Sequence, residues 1–183
     1  MAIRFELDAA TEVTLPLACD PSVKATPEAI AEYLRTGDQG LITWPDDVTR
    51  ITVRALTEPE QAEADRAAGY RPTLGAYAFD EARAAQEGLE GEARAAAFER
   101  CRAGWNDLKR QAYDDFVAWF DRQRPAIVAA GLVAMHGEGW DGVPRAALPD
   151  HLARVPKRLR ADVVAEVHTH ISRLTNLGAE GKG

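Results

Sequence analysis

The chain has 183 residues and a formal net charge of −7 at pH 7, a length that supports one hydrophobic core with an appendage rather than two independent domains. An acidic chain is not expected to bind nucleic acid nonspecifically, because that affinity comes from neutralising phosphates. The sequence contains no apolar run long enough to span a bilayer, and its start lacks the basic and apolar stretches of a secretory signal. We therefore expect a soluble protein made in a cytoplasm, with no membrane contact.

The amino-acid composition of the chain changes near Thr57. β-Branched residues are frequent before that position, whereas Ala, Glu, Arg and Gln dominate from there to Pro125. This contrast predicts an α+β fold in which a small N-terminal antiparallel β head with one short helix (residues 1–56) precedes a mainly α-helical body (residues 57–178). The head and body are expected to form one compact unit, followed by a flexible tail at residues 179–183.

The predicted head contains a hairpin, a helix and two further strands. Alternating apolar residues predict strands at 3–7 and 13–17, the second at a sheet edge because it contains Pro16. Thr26 and Pro27 are typical of a helix start and Gly37 of a helix end. Further strands are predicted at residues 41–44 and 49–56.

The body is predicted to consist of helices separated by Gly and Pro. One apolar stripe suggests a single helix of about eight turns that stops before Pro125 and includes Trp105 and Trp119 in its buried face. Gly178 is expected to end the last helix. The predicted helical segments are residues 58–69, a segment from 76 to a break at Gly88 and Gly91, 92–124, 125–135, a short segment from 149, and a longer one from 156.

Histidine and acidic side chains offer two candidate sites, and neither is complete. Glu166 and His170 share a helix face and supply two metal ligands, but nothing nearby in the sequence supplies the others, so a solvated face is predicted. Four residues on and beside a glycine-rich loop could do acid–base work, although no nucleophile accompanies them. These four are His136, Glu138, Asp141 and His151. No metal, cofactor or catalytic residue is predicted.

The two cysteines, Cys19 and Cys101, lie far apart in unlike contexts and have no metal or redox spacing. In the reducing compartment expected for this chain, both are predicted to be free thiols.

A basic stretch and two tryptophans are the candidates for partner binding. The basic stretch could bind an acidic partner surface or nucleic acid, or it could be a solvated helix face. Trp44 and Trp140 fall at turn or loop positions, where amphipathic aromatic residues often mark a contact. The basic residues are Arg154, Lys157, Arg158 and Arg160, with Arg145 upstream.

Two segments resemble small proteins encoded among the morphogenesis genes of tailed bacteriophages. One reads Ile-Thr-Val-Arg-Ala-Leu-Thr at residues 51–57 and leads into an acidic helix. The other reads Leu-Ala-Arg-Val-Pro at residues 152–156, then a helix ending in Ile-Ser-Arg-Leu-Thr-Asn-Leu-Gly at residues 171–178. The resemblance implies a non-enzymatic structural protein of the head, neck or tail, made in a bacterial host cytoplasm and packed between larger virion subunits.

The same resemblance implies that the partners are other virion or assembly proteins, in a homo- or hetero-oligomer. The closing segment, including Ile171 and Leu174, is expected to join the partner-binding set. Two alternatives stay open. One is a soluble tail-assembly chaperone or small regulatory binding module that is not retained in the particle, and the other is an enzyme whose site contains the four loop residues.

Overall fold

The fold is taken from a computed structural model, which describes residues 11–89 and 91–180. The helices and strands are β1 (Glu12–Pro16), α1 (Pro27–Thr36), β2 (Arg50–Arg54), α2 (Glu58–Ala68), α3 (Thr73–Ala85), α4 (Gly91–Ala103), α5 (Asp107–Gly131), β3 (Leu132–His136), α6 (Leu148–Arg154) and α7 (Lys157–Glu180). Two 3-10 turns lie at Gln39–Leu41 and Arg145–Ala147. The chain divides into a first unit, Met1–Ala62 with Arg124–Gly183, and a second unit, Glu63–Gln123.

The first unit is built on an antiparallel sheet with strand order β1-β2-β3. Central strand β2 places Ile51 and Val53 at 0% exposure, and α7 packs against this strand. Thr52 on β2 is also buried, and its hydroxyl is satisfied by hydrogen bonds with the Thr14 hydroxyl at 2.9 Å and the His136 ring at 2.8 Å. A chain of hydrogen-bonded side chains therefore runs across β1, β2 and β3.

The predicted fold class is wrong in one respect, because the sheet is not confined to an N-terminal head. Strand β3 comes from residues 132–136, within a stretch predicted to be a buried helix. That stretch is a continuous apolar run, and a buried strand and a buried helix cannot be told apart by periodicity in such a run. The sheet joins both chain segments of the first unit.

Several elements of the N-terminal segment agree with the sequence. Strands β1 and β2 are confirmed, and α1 begins with the Thr26 hydroxyl accepting the N–H of Ala29 and ends at Gly37, whose φ of 74° is left-handed. The strand predicted at 41–44 is wrong, since a 3-10 turn occupies Gln39–Leu41 instead. The strand predicted at residues 3–7 lies outside the described residues.

The second unit has aromatic cores between its helices. Trp119 packs with Phe116 and Ala68, and Trp105 packs with Ala78 and Ala82, so the predicted burial of both tryptophans is confirmed. Close approach of α3 to α5 depends on a glycine. A Cβ on Gly75 would collide with the carbonyl oxygen of Ala112.

The prediction of a single helix over residues 92–124 is wrong in two ways: the helix is interrupted, and it does not stop before Pro125. Helix α4 ends at Ala103, and the Asn106 side chain caps the start of α5 by accepting the N–H of Lys109 at 2.9 Å. Helix α5 then continues through Pro125 to Gly131. Leu108, which would lie on the apolar face of such a helix, is 70% exposed.

The last helix is longer than predicted. Helix α7 runs to Glu180, past the stop predicted at Gly178, so the predicted tail begins inside a helix. The remainder of that tail, residues 181–183, lies outside the described residues.

Candidate functional site

An apolar groove opens on the first unit between the end of α5, the start of β3, α6 and α7. We call it the α6–α7 groove. It has a volume of about 450 Å³. The apolar residues lining it are Pro125, Val128, Ala129, Leu132, Leu148, Pro149, Leu152, Ala153, Ala161 and Val164. Four of these are buried, at 2–7% exposure, and form its floor: Val128, Leu132, Leu148 and Leu152.

Three cations border the groove, and two of them are held in place by helix ends. Arg145 donates to the carbonyl of Ala130 at 2.7 Å, in the last turn of α5. Arg160 donates to the carbonyl of Ala153 at 2.9 Å, in the last turn of α6. Carbonyls at a helix C-terminus carry partial negative charge, so both positions suit a guanidinium. The third cation, Lys157, is exposed at the start of α7.

Positive charge at the start of α7 is unexpected, because the N-terminal end of a helix disfavours cations. The structure gives a reason for Arg160, whose side chain reaches back to the C-terminus of the preceding helix. The remaining residues of the predicted basic stretch, Arg154 and Arg158, are exposed but do not line the groove.

The two predicted contact tryptophans lie elsewhere and are half-buried. Trp44 packs edge-on against Tyr33 with ring centroids 5.0 Å apart, and its indole N–H donates to the carbonyl of Gln39 at 2.7 Å. Trp140 lies against His151 with centroids 5.8 Å apart. Both tryptophans thus make contacts within the first unit, and neither lines the groove.

Two members of the predicted partner-binding set require correction. Ile171 is 0% exposed and Leu174 is 6% exposed. They belong to the face of α7 that is buried in the core of this chain, so they are not available to a partner while the chain is folded.

The predicted solvated face at Glu166 and His170 is also wrong. Both residues are buried, at 5% and 0% exposure, and the His170 Nε2 lies 3.6 Å from the Glu166 carboxylate. Glu166 accepts the backbone N–H groups of Ala18 and Cys19 at 2.6 and 2.8 Å. The His170 ring packs edge-on against Tyr33, with centroids 5.2 Å apart.

This cluster suppresses ionisation of two neighbouring groups. Burial, reinforced by the nearby Glu166 carboxylate, raises the pKa of both the Cys19 thiol and the Tyr33 hydroxyl well above their usual values. A thiol held neutral is a poor nucleophile. Both cysteines are free, as the sequence predicted. Within the two described ranges, no group of three or more His, Cys, Asp or Glu side chains is arranged to hold a metal ion.

The four loop residues considered for acid–base work do not meet in the groove. His136 bonds Thr52, Asp141 accepts the N–H of Gly137 at 3.1 Å, and His151 packs on Trp140. None of them, nor Glu138, lines the groove. The cavity therefore gives no support to an acid–base site made of these residues.

The sequence pointed to the cations of the groove but not to its apolar walls. Pro125 and Ala129 lie in the run that the sequence predicts to be a buried helix, yet both are exposed. Their exposure depends on the path of α5 into β3, and the residues alone do not specify that path.

No helix among the described residues combines the length and the apolar character needed to cross a bilayer. Comparison with protein-family models, with curated proteins and with solved structures gave no match.

Proposed function

We propose that this chain is a non-enzymatic structural or assembly protein of a tailed-bacteriophage particle, and that it packs against a larger virion subunit through the α6–α7 groove. The groove carries the proposal, because exposed apolar surface bordered by polar groups is typical of protein-binding sites. It also coincides with part of the resemblance to phage proteins. Leu152 and Ala153, in the segment that carries the resemblance, line the groove.

The same exposed apolar surface also fits the alternative, a soluble tail-assembly chaperone. Pro125, Ala129 and Ala161 leave apolar surface exposed in a single chain that already has its own buried core. A binder that captures a partner and later releases it needs such a surface. Presence or absence of the protein in finished particles separates this alternative from the structural role.

Site-specific photo-crosslinking in a host that produces the particle tests the proposal. A crosslinking amino acid replaces Ala161 on the groove or, as a matched control, the exposed Ala95 on α4. We expect a crosslink from position 161, but not from position 95, to a product of the particle genes. The purified particles are then analysed by mass spectrometry. No crosslink from position 161 to any virion or assembly protein, together with absence from the particles, would overturn both roles.

A further inference from the structure

We propose that the α6–α7 groove binds an amphipathic helix of the partner protein, with an apolar stripe seated on the groove floor and carboxylates along the margins of that stripe. This inference rests on the proposed function and specifies the chemistry of the partner segment.

The apolar part of the inference follows from the floor and its size. Val128, Leu132, Leu148 and Leu152 supply a floor of branched aliphatic side chains. A volume of about 450 Å³ is enough for a few side chains of a partner rather than for a whole folded surface. Helix-in-groove recognition uses such anchors, spaced at i, i+3 or i+4, and i+7.

The helical part follows from the hydrogen-bonding capacity of the walls. Most of the lining residues lie within α5, α6 and α7, where backbone groups away from the helix ends are bonded to each other. At the ends of α5 and α6, the carbonyls of Ala130 and Ala153 already accept from Arg145 and Arg160. Two lining residues, Pro125 and Pro149, have no N–H at all. An extended segment would bury backbone groups without partners, whereas a helix satisfies its own.

The acidic part follows from the charge around the groove. Residues 145–160 contain five basic side chains and one acidic side chain, Asp150, in a chain whose overall charge is −7. Arg145 and Arg160 are held at the border by one carbonyl each, and a guanidinium has five N–H donors. Donors remain that can meet a carboxylate in a fixed geometry, which favours an acidic partner over a basic one.

Binding of three designed peptides to the full chain, measured by fluorescence anisotropy, tests the inference. Each peptide is a labelled helix of about 18 residues, or roughly five turns. The first has a Leu stripe flanked by Glu, the second has the same stripe flanked by Lys, and the third keeps Glu but replaces the Leu stripe with Ala. We expect the first peptide to bind at least about tenfold more tightly than either of the others.

Charge reversal on the groove border supplies the second arm. Lys157→Glu is expected to weaken binding of the Glu-flanked peptide about tenfold. Arg100→Glu makes the same charge change at an exposed position of α4 that does not line the groove, and it should leave the affinity unchanged. Ala161→Trp fills the groove without changing charge and should also weaken binding. Circular dichroism of each variant verifies folding.

Three results would overturn the inference. The first is equal binding of the Glu- and Lys-flanked peptides, and the second is no binding of the Glu-flanked peptide up to about 1 mM. The third is binding of dodecanoate but not of the Glu-flanked peptide, with the dodecanoate binding abolished by Ala161→Trp. The ligand of the groove would then be a small anionic amphiphile. None of these results affects the crosslinking test, so the partner chemistry can fail while the proposed function stands.

Discussion

The Glu166 carboxylate accepts a 2.6 Å hydrogen bond from the backbone N–H of Ala18, a residue 148 positions earlier in the chain. Its second oxygen accepts the N–H of Cys19 at 2.8 Å. A single buried carboxylate thus ties the segment after β1 to the middle of α7, and hydrogen bonds to a charged acceptor are about twice as strong as neutral ones.

Replacing Glu166 by Ala should destabilise the first unit. The change leaves two backbone N–H groups without their acceptor, at a cost of about 3 kcal/mol. Glu166→Gln retains one side-chain oxygen and should cost less. Urea unfolding followed by circular dichroism measures both effects. The matched control is Asp162→Ala, at an exposed acid on the same helix, which should change stability by less than about 0.5 kcal/mol. An unchanged midpoint for Glu166→Ala would show that these bonds contribute nothing.

Adding one methyl group at Gly131 should destabilise the chain, although Gly→Ala in a helix usually gains up to about 1 kcal/mol. A Cβ there would lie 2.7 Å from both Cδ1 and Cγ2 of Ile171, a residue that is 0% exposed. We expect a net loss of about 1–3 kcal/mol from overpacking. Gly104→Ala, whose Cβ would meet its nearest neighbour at an ordinary 3.5 Å, is the control.

Coupling between the two positions can be measured directly by a double-mutant cycle. Ile171→Val shortens the side chain that the new methyl meets, so the double variant Gly131→Ala/Ile171→Val should lose less stability than the sum of the single variants. Strict additivity would mean that the methyl group is accommodated elsewhere.

Stability should depend on pH through His168. Burial, with a smaller contribution from the charge of Arg124, lowers the pKa of His168 from 6.5 to about 4. Between pH 6.5 and 4 the unfolded chain takes up a proton at this residue that the folded chain does not. Stability is therefore complete above pH 6.5 and decreases as the pH falls towards 4, by up to about 3 kcal/mol.

Replacing His168 by Gln should flatten this pH dependence. Urea midpoints of the parent and the variant at several pH values from 7 to 4 provide the measurement. The difference in unfolding free energy between the two proteins should change steadily across the window in favour of His168→Gln. If both proteins lost stability equally on acidification, His168 would not be the titrating group.

Arg54 should not tolerate replacement by Lys. Its guanidinium contacts both oxygens of Glu60, at 2.9 and 2.5 Å, and also donates to the carbonyl of Ala130 at 3.1 Å. An ammonium group cannot reproduce that planar fork, so we expect a loss of about 1–2 kcal/mol at pH 7. Arg100→Lys on α4 is the control, and equal stability of the two variants would contradict the assigned role.

The contribution of the Arg54–Glu60 pair to the free energy of unfolding should depend on pH. The hydrogen bonds from Arg54 outweigh the effect of burial and lower the pKa of Glu60 from 4.5 to about 2. The stability contributed by this pairing is therefore present above pH 4.5 and is lost as the pH falls towards 2. The difference between the parent and Arg54→Lys should shrink over that interval in urea unfolding experiments.

Local signals predicted the parts of the fold that are determined locally. Thr26 and Gly37 mark the ends of α1 because a hydroxyl cap and a left-handed glycine act within one turn. Strand β3 is defined by its pairing with β2, far away in sequence, and no local pattern specifies that pairing. A proline usually ends a helix at the preceding residue, so the local signal at Pro125 predicted a helix end where α5 in fact continues.

The burial of Glu166 and His170 on α7 could not be predicted from the periodicity of apolar residues alone. Val163, Val167 and Ile171 form an apolar stripe at a spacing of four, and Glu166 and His170 lie on the same buried face, immediately beside it. Their spacing of three from Val163 and Val167 was the available signal. Its meaning depends on the two N–H groups after β1, and no local pattern places those groups there.

The interrupted path of the first unit has a consequence for biosynthesis. Its central strand is made early, but the edge strand β3 and helix α7 follow only after residues 63–123 have been added. On the ribosome, the second unit can therefore begin to pack while β2 still awaits one of its neighbours. One side of β2 therefore stays unpaired until the chain has been made through β3, and an unpaired strand edge in a nascent chain is prone to aggregation.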